Sequence, residues 1–300
     1  MNGAKVLGID IGGTNLRMGL VDRQGRVEGL QVQPSSALLA GEPLDALYGS
    51  IEAYCRQQES TPLAVAIGLP SSISRDRQRV YSTPNLPEFD DLEIPGPLSA
   101  RLGLPVFLER DVNFLLQWDI HQCGLQGLEN ILGFYVGTGF GNAIYLNGRF
   151  YLGKNGVAGE LGHIPLYGVE EACPCGNTGC AEVRCSGRAL QKLAALHYPG
   201  EEMGQLFLRH GQEAPLRQFI QELALPVATE VTLLDPDVVI LAGGVVAMPG
   251  FPKKMLLDEI LHRVRKPYPA QGLRVLFPEH SKRSGVAGAG LYAFERLPNR

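Results

Sequence analysis

Short apolar runs that end in glycine recur along the chain, and each run predicts a buried strand followed by a tight turn. The first run occupies residues 6–15, and an alternating segment at residues 16–22 follows it. This order predicts a hairpin, whereas a dinucleotide-binding fingerprint opens a helix after its glycines. The same order recurs at residues 131–146, and Asn147 and Gly148 then supply a strong hairpin signal. The recurrence predicts two related lobes, although one repeated glycine-rich hairpin is also compatible with chance.

A third apolar run, at residues 237–245, leads into the pair Gly243 and Gly244. Glycines let backbone N–H groups approach a ligand closely, and successive N–H groups form nests that bind anions. A plain tight turn explains any one of the three loops. All three loops together, two of which contain a threonine, favour a site for nucleotide phosphates.

Segments with apolar residues at helical spacing lie between these strands. They predict helices over residues 43–58, 113–123, 186–196 and 216–234, and a small-residue helix from Ser284 onward. Pro226 is expected to kink or split the fourth helix, because proline has no backbone N–H to donate. The alternation of strands and helices predicts an α/β architecture.

The composition narrows the class of protein. The chain has 300 residues with 45% hydrophobic and 19% charged side chains, which argues against a mostly disordered or a fibrous protein. This length suggests about two domains. The net charge of −4 does not indicate binding to nucleic acid or to an anionic membrane. Because we find neither a secretory signal nor an apolar run of about 18 residues, we expect a cytoplasmic protein with no membrane partner.

Three cysteines lie close together at Cys173, Cys175 and Cys180, and His163 precedes them. One histidine and three cysteines match a closed tetrahedral zinc site, since thiolates and imidazole are ligands that zinc prefers. Such a site is structural, because four protein ligands leave no open position for a substrate. A disulfide is the alternative, but it leaves one thiol over and conflicts with a reducing compartment.

Three carboxylates are candidates for chemistry. Asp111 follows the strand-like run at residues 106–110, and ligand groups gather beyond the carboxyl ends of strands in open α/β sheets. Asp111 is therefore a candidate base, and a helix N-cap is the alternative. Glu160 precedes the histidine and Glu182 follows the last cysteine, so a bound zinc would hold both near one another. Two fixed carboxylates suit hydrogen bonding to neighbouring sugar hydroxyls, although a surface salt bridge beside the zinc also explains them.

Taken together, these residues resemble the ROK family of sugar kinases and repressors, within the actin-like ATPase superfamily. The resemblance runs along nearly the whole chain. The two phosphate motifs of the family resemble residues 10–15 and 136–141, and its zinc-and-sugar signature resembles residues 159–163 with the three cysteines and Glu182. The glycine loops are weak signals individually, whereas the spacing of the histidine, the cysteines and the flanking glutamates is highly specific.

The resemblance implies a fold and a division into lobes. The implied fold is the two-lobed, ribonuclease H-like α/β fold of the actin-like ATPases, with MgATP and sugar in the cleft between the lobes. Residues 1–112 and 285–300 would form a small N-terminal lobe, and residues 113–284 a large lobe with the zinc site. The resemblance also implies a homodimer.

The resemblance assigns roles to residues as well. Asp111 would be the general base that accepts the proton of the attacking sugar hydroxyl. The sugar would be bound by Asn85, Arg110, Asp111, Glu160, His163 and Glu182. ATP would be bound by Asp10, Gly12, Gly13, Thr14, Asn15, Thr138, Gly139, Gly243 and Gly244, with magnesium near Asp10. Structural zinc would be bound by His163, Cys173, Cys175 and Cys180.

One departure from the family concerns the sugar. ROK glucokinases usually have Asn-Asp where this chain has Arg110 and Asp111, and that asparagine usually contacts a sugar hydroxyl. Arginine is larger, only donates hydrogen bonds and is always charged, so glucose is not the expected substrate. Residues 82–87, 110–113 and 156–166 resemble bacterial D-allose kinases, which implies transfer of the ATP γ-phosphoryl group to the 6-hydroxyl of D-allose. Glucose, mannose, fructose and N-acetylhexosamines are the alternative substrates.

Two non-catalytic classes are compatible with parts of the pattern. ROK repressors have a helix-turn-helix domain ahead of the first phosphate motif, but this motif begins by residue 10 here and leaves no room for one. A sugar-binding protein without catalysis would not need Asp111 or both phosphate loops. We therefore expect an enzyme whose partners are a small sugar and MgATP, and not nucleic acid.

Overall fold

The computed structural model describes residues 3–39, 41–84 and 86–298 of the chain. They form two compact units. The first unit consists of the chain up to Gln126, the segment Leu152–Ala158 and the chain from His280 onward. The second unit consists of Gly127–Tyr151 and Gly159–Glu279. Among the described residues, no helix is both long enough and apolar enough to cross a membrane.

The first unit is built on a mixed sheet. Its strands are β1 Val6–Ile11, β2 Asn15–Val21, β3 Val27–Pro34, β4 Val65–Leu69, β5 Ser72–Ile73, β6 Val80–Ser82 and β7 Val106–Arg110. The sheet has the order β3-β2-β1-β4-β7, and β5 pairs with β6 in a separate short hairpin. Strands β1 to β3 are antiparallel, while β4 and β7 continue the sheet parallel to β1. The carboxyl ends of β1, β4 and β7 therefore lie at one edge.

The helices of the first unit are α1 Pro43–Gln57, α2 Pro95–Leu102, α3 Asp111–Gln122 and, after the helices of the second unit, α9 Ser284–Arg296. The small residues of α9 let it pack closely, as predicted. A Cβ atom added to Gly288 would lie 1.8 Å from the Phe114 carbonyl oxygen of α3. Phe114 also packs edge-to-face on Tyr292 of α9, with ring centroids 5.1 Å apart. Helices α3 and α9 therefore form one tightly packed pair.

The second unit repeats the sheet of the first. Its strands are β8 Ile131–Val136, β9 Phe140–Leu146, β10 Arg149–Phe150, β11 Val238–Ala242 and β12 Val275–Leu276. They are ordered β10-β9-β8-β11-β12. Strands β8 to β10 are antiparallel, and β11 and β12 continue the sheet parallel to β8. Order and directions match the first sheet strand for strand, which confirms the repeat inferred from the two glycine hairpins.

The helices of the second unit are α4 Glu182–Cys185, α5 Gly187–His197, α6 Leu206–His210, α7 Ala214–Leu234 and α8 Lys253–Arg263. Of the two expected effects of Pro226, a kink or a split, the split is not found, since α7 is continuous through the proline. Leu223 and Val227, on either side of the proline, are fully buried in the core of this unit. Burial of this apolar face stabilises the helix by more than the missing backbone hydrogen bond costs.

The two units differ in extent from the predicted lobes. The first unit runs to Gln126 rather than to residue 112, because α3 packs against α9. The segment Leu152–Ala158 also belongs to the first unit. A Cβ atom on Gly156 would lie 2.4 Å from the Ile73 carbonyl oxygen, so this segment fits closely against the end of β5. These contacts join residues distant in sequence, which a boundary drawn at a motif cannot anticipate.

Candidate functional site

Asp111 lies where the chain of the first unit passes from strand to helix. Strand β7 ends at Arg110 and α3 begins at Asp111, two residues earlier than predicted. The N-cap is Arg110, so Asp111 is the first helical residue and not the cap. Its Oδ1 accepts a hydrogen bond from the Val112 backbone N–H at 2.8 Å. The positive end of the helix dipole stabilises an ionised carboxylate here, which is the form that accepts a proton.

The two residues before Asp111 are buried. Arg110 is 6% exposed, and its Nη1 donates a hydrogen bond to the Ala158 carbonyl oxygen at 2.6 Å. Glu109 is 1% exposed and forms an ion pair with Arg77. Neither Glu109 nor Arg77 was predicted from the sequence, because no local spacing marks the two residues as partners.

The first glycine turn joins β1 and β2 in the first unit. The Gly12 backbone N–H donates to the Asn15 carbonyl oxygen at 2.9 Å, which closes the turn. The Ser35 Oγ donates to the Gly12 carbonyl oxygen at 2.5 Å and the Ser35 N–H to the Thr14 carbonyl oxygen at 3.0 Å. Gly13 and Thr14 are exposed between these anchors. The turn is therefore held in place by Ser35 and exposes backbone N–H groups and the Thr14 hydroxyl.

Asp10 lies one strand position before this turn. Its Oδ2 accepts a hydrogen bond from Arg17 Nη1 at 3.0 Å across the β1–β2 pair. Burial raises the pKa of Asp10, and the Arg17 guanidinium opposes that rise. A Cβ atom on Gly285 of α9 would lie 2.8 Å from the Asp10 carboxyl carbon, so a larger residue there would displace the carboxylate. The carboxylate is thus held between an arginine and the start of a helix.

The second glycine turn joins β8 and β9 in the second unit. The Gly137 N–H donates to the Gly139 carbonyl oxygen at 3.0 Å. The first two residues of α5 anchor the turn, since Gly187 N–H donates to the Gly137 carbonyl oxygen at 2.8 Å and Arg188 N–H to the Thr138 carbonyl oxygen at 3.2 Å. Ser186 caps this helix as predicted, with its Oγ accepting from the Ala189 N–H.

The third glycine turn lies beside the second. The Val245 N–H donates to the Val136 carbonyl oxygen, the last of β8, at 2.9 Å. Gly243 has a φ of +106°, and a Cβ atom there would lie 2.6 Å from that oxygen. Gly244 is exposed. Within the second unit, the structure therefore brings together two of the three turns that were predicted to bind nucleotide phosphates.

His163, Cys173, Cys175 and Cys180 form one cluster in the second unit. Their ligand atoms all lie within 4.8 Å of one another. His163 Nδ1 is 3.6 Å from Cys173 Sγ, and Cys175 Sγ is 3.6 Å from Cys180 Sγ. All the cysteines are free, so the disulfide alternative is not found among the described residues.

The geometry of this cluster fits zinc. In a tetrahedral zinc site with the usual bond lengths, ligand atoms stand about 3.5 to 3.8 Å apart, and the sulfur–nitrogen and sulfur–sulfur distances of 3.6 Å match this separation. Burial raises the pKa of the Cys180 thiol to about 12. A coordinated cation reverses that effect, because it binds the thiolate.

The two glutamates predicted to bind sugar both lie close to the chain that ends at the histidine of this cluster. Glu160 Oε2 is 3.9 Å from His163 Nε2, the ring nitrogen that faces away from Cys173. Glu182 begins α4, and its Oε2 accepts a hydrogen bond from the Phe140 N–H at 2.8 Å. A Cβ atom on Gly162 would lie 3.5 Å from the Glu182 Cβ, so Glu182 approaches the chain between Glu160 and His163. Asn85, the remaining predicted sugar ligand, lies outside the described residues.

The chain is similar in sequence and in structure to several known proteins. The model of the ROK family matches residues 6–296. An N-acetyl-D-glucosamine kinase of Photobacterium profundum is 30% identical over 304 residues, covering 94% of this chain and 97% of that protein. A glucokinase of Thermotoga maritima is 27% identical over 263 residues, covering 80% and 82%. The crystal structure of a ROK hexokinase of Thermus thermophilus is 29% identical, covers 97% of this chain and 98% of its own, and has a TM-score of 0.79. The likeness confirms the predicted α/β fold of the actin-like ATPases.

Proposed function

The chain belongs to the ROK family and is a sugar kinase, and from this premise we propose that it transfers the γ-phosphoryl group of ATP to the 6-hydroxyl of D-allose. The products are D-allose 6-phosphate and ADP. The observation that carries the proposal is the position of Asp111, a half-buried carboxylate in the first turn of α3 beyond the carboxyl end of β7.

Asp111 acts as the general base in this proposal. The oxygen of the sugar 6-hydroxyl attacks the γ-phosphorus, the hydroxyl proton passes to the Asp111 carboxylate, and the bond to the β–γ bridging oxygen breaks as ADP leaves. Phosphoryl transfer depends on positioning and charge neutralisation more than on covalent help. A single carboxylate is therefore sufficient to activate a sugar alcohol.

The glycine turns bind ATP in this proposal. Backbone N–H groups of anchored turns suit phosphate oxygens, and the binding residues are Gly12, Gly13, Thr14, Asn15, Thr138, Gly139, Gly243 and Gly244. Asp10 would hold magnesium, whose charge neutralises phosphate oxygens when it is bound. The ion pair with Arg17 means that the Asp10 carboxylate would be shared between two cations.

The sugar is bound by carboxylates and by the histidine of the cluster. We assign this role to Asn85, Arg110, Asp111, Glu160, His163 and Glu182. The hydrogen bond between Glu182 and Phe140 supports it, because one carboxylate oxygen is fixed by the backbone and the group keeps a defined orientation. Zinc at His163 and the three cysteines would be structural, and Nδ1 ligation leaves Nε2 directed toward Glu160.

Arg110 supports D-allose over glucose. An asparagine at this place in ROK glucokinases both donates and accepts hydrogen bonds, whereas the Arg110 guanidinium only donates and is bonded to the Ala158 carbonyl oxygen. A pocket with this change offers a different set of partners to the sugar hydroxyls. N-acetyl-D-glucosamine is the second candidate, since a relative that matches the chain over nearly its full length is an N-acetyl-D-glucosamine kinase.

Release of ADP with MgATP across a panel of sugars tests the proposal. The panel is D-allose, D-glucose, D-mannose, D-fructose, N-acetyl-D-glucosamine and N-acetyl-D-mannosamine, and rates are compared as kcat/KM. We expect D-allose to have the highest value. A higher value for another sugar overturns the allose assignment and retains the kinase. Light scattering of the same sample tests the homodimer, which is part of this proposal.

A further inference from the structure

Two arginines of the first unit donate hydrogen bonds to the main chain of one segment, Leu152–Ala158. Arg77 Nη1 donates to the Gly156 carbonyl oxygen at 2.8 Å, and Arg110 Nη1 donates to the Ala158 carbonyl oxygen at 2.6 Å. We propose that Arg77, Arg110 and Glu109 form a clamp that fixes the main chain of residues 156–158, shortly before the proposed sugar ligand Glu160 in the sequence. They would affect hexose affinity by fixing the main chain, in addition to any contact that Arg110 makes with sugar. This inference rests on the proposed function.

Glu109 organises the clamp. Both its carboxylate oxygens bind Arg77, with Nε to Oε2 at 3.0 Å and Nη2 to Oε1 at 2.9 Å. The Tyr292 hydroxyl donates to Oε2 at 3.0 Å, and the Arg110 backbone N–H donates to Oε1 at 2.9 Å. A bidentate guanidinium–carboxylate pair fixes the plane of both groups. Because Glu109 is 1% exposed, this pair holds Arg77 in one orientation rather than letting it exchange with water.

Arg77 also joins the segment to the end of β5. Besides Gly156, its Nη1 donates to the carbonyl oxygens of Ile73 at 3.1 Å and Ser74 at 3.2 Å. Gly156 has a φ of +91°, and a Cβ atom there would lie 2.6 Å from the Arg75 backbone nitrogen. The segment therefore adopts a conformation that favours glycine and fits against the chain after β5, with one guanidinium bridging the two.

The clamp lies next to the proposed sugar ligands in the chain. Ala158 is two residues before Glu160, and Arg110 is one residue before Asp111. The hydrogen bond between Arg110 and Ala158 therefore joins the residue before Asp111 to a residue two positions before Glu160. A displacement of the order of 1 Å in a positioned group can cost about a hundredfold in rate, so these contacts are well placed to control the use of sugar.

Arg77→Gln and Arg110→Gln test the clamp, and Arg79→Gln is the matched control. Arg79 lies in the same loop and also donates to a backbone carbonyl, that of Asp91 at 2.9 Å, but it binds Glu93 rather than Glu109. Hydrogen–deuterium exchange of the peptide over residues 152–163 is measured without ligands. We expect faster exchange in both clamp variants and unchanged exchange in the control.

Steady-state kinetics give the second measurement. We expect the KM for the hexose to rise about tenfold in both clamp variants and the KM for ATP to stay unchanged. A rise in the KM of one substrate alone indicates that binding of that substrate is weakened. Arg110→Lys keeps one donor within reach of Ala158 and is expected to recover part of the hexose KM. If Arg77→Gln does not fold, Glu109→Gln replaces it. This substitution keeps the size of the side chain but removes the negative charge, so it still breaks the bidentate pair with Arg77.

Two outcomes would overturn the clamp. One is unchanged exchange of residues 152–163 in folded Arg77→Gln or Glu109→Gln. The other is a higher hexose KM in Arg110→Gln with no change in exchange, which would make Arg110 a direct sugar ligand only. Hydrogen–deuterium exchange is measured without turnover, so it tests the clamp independently of the activity. If the protein phosphorylates no hexose but the clamp variants exchange faster, the clamp is supported and the proposed function is rejected.

Discussion

The Phe140 backbone N–H donates a hydrogen bond to Glu182 Oε2 at 2.8 Å. Phe140 is the first residue of β9, directly after the second glycine turn, and Glu182 is the first residue of α4, two residues after Cys180. The bond therefore joins a proposed phosphate turn to a proposed sugar ligand within the second unit. It depends on the absence of a side chain at Gly139, where a Cβ atom would lie 2.5 Å from the same oxygen.

Gly139→Ala should therefore displace the Glu182 carboxylate. The methyl group meets the end of a flexible side chain, so we expect the melting temperature to change little. The hexose KM is expected to rise about tenfold, because Glu182 loses its backbone partner and its orientation. Gly49→Ala in α1, where an added Cβ atom meets nothing within 4 Å, is the control. An unaltered hexose KM in Gly139→Ala would remove Glu182 from the sugar site.

Loss of one cysteine of the cluster should release the metal. We expect about one equivalent of zinc per chain by elemental analysis, and loss of it in Cys180→Ser, because structural zinc sites are stabilised by a complete ligand set. The melting temperature of the variant should fall, and a chelator should lower that of the unaltered protein. Cys55→Ser, a change in α1 outside the cluster, should retain the metal. Full zinc content in Cys180→Ser would contradict the assigned ligand set.

Glu230 gives the second unit a pH-dependent stability. It is 6% exposed on α7, and burial raises its pKa to about 7, while the hydrogen bond from Asn142 Nδ2 at 2.8 Å opposes the rise. A carboxyl whose pKa is raised on folding favours the folded state most at pH values below its ordinary 4.5. That contribution is lost as the pH rises through about 7. The unaltered protein should thus lose stability between about pH 5 and pH 8.

Glu230→Gln removes this dependence. Asn142 Oδ1 has no hydrogen-bond partner among the described residues, and a glutamine amide can donate to it. We expect the variant to exceed the unaltered protein by up to about 3 kcal/mol at pH 8.5, and by little at pH 5. Chemical denaturation at both pH values measures the difference. The exposed Glu129→Gln is the control. If the free energy of unfolding of Glu230→Gln changes with pH as much as that of the unaltered protein, Glu230 is not the titrating group.

Features determined by nearby residues could be predicted from the sequence. The turn at Asn147 and Gly148 was recognised because both residues tolerate a positive φ, and their φ values are +53° and +73°. The metal cluster was found because its ligands are close in sequence and chemically distinctive. The order of strand, glycine turn and strand occurs in both halves of the chain, so the repeated sheet could be predicted from the sequence as well.

Features determined by contacts between distant residues could not be predicted. Arg77 and Glu109 are 32 residues apart, and neither stands in a motif that marks it as buried. Charged residues are rarely buried without a partner, but the partner is known only once the sheet has brought β7 beside the chain after β5. The extent of the first unit and the continuity of α7 at Pro226 are likewise decided by tertiary packing, so the sequence alone does not determine them.

Asp111→Asn tests the base. Asparagine keeps the size of the side chain, and its Oδ1 can still accept the hydrogen bond from the Val112 N–H. It cannot accept the proton of the sugar hydroxyl, so we expect kcat to fall by about 10²- to 10⁴-fold. Hexose binding, measured by calorimetry without nucleotide, should remain largely intact. Asp45→Asn, an exposed residue paired with Arg101, is the control for the loss of an aspartate charge. Activity equal to that of the unaltered protein would exclude Asp111 as the base and move the search to another carboxylate.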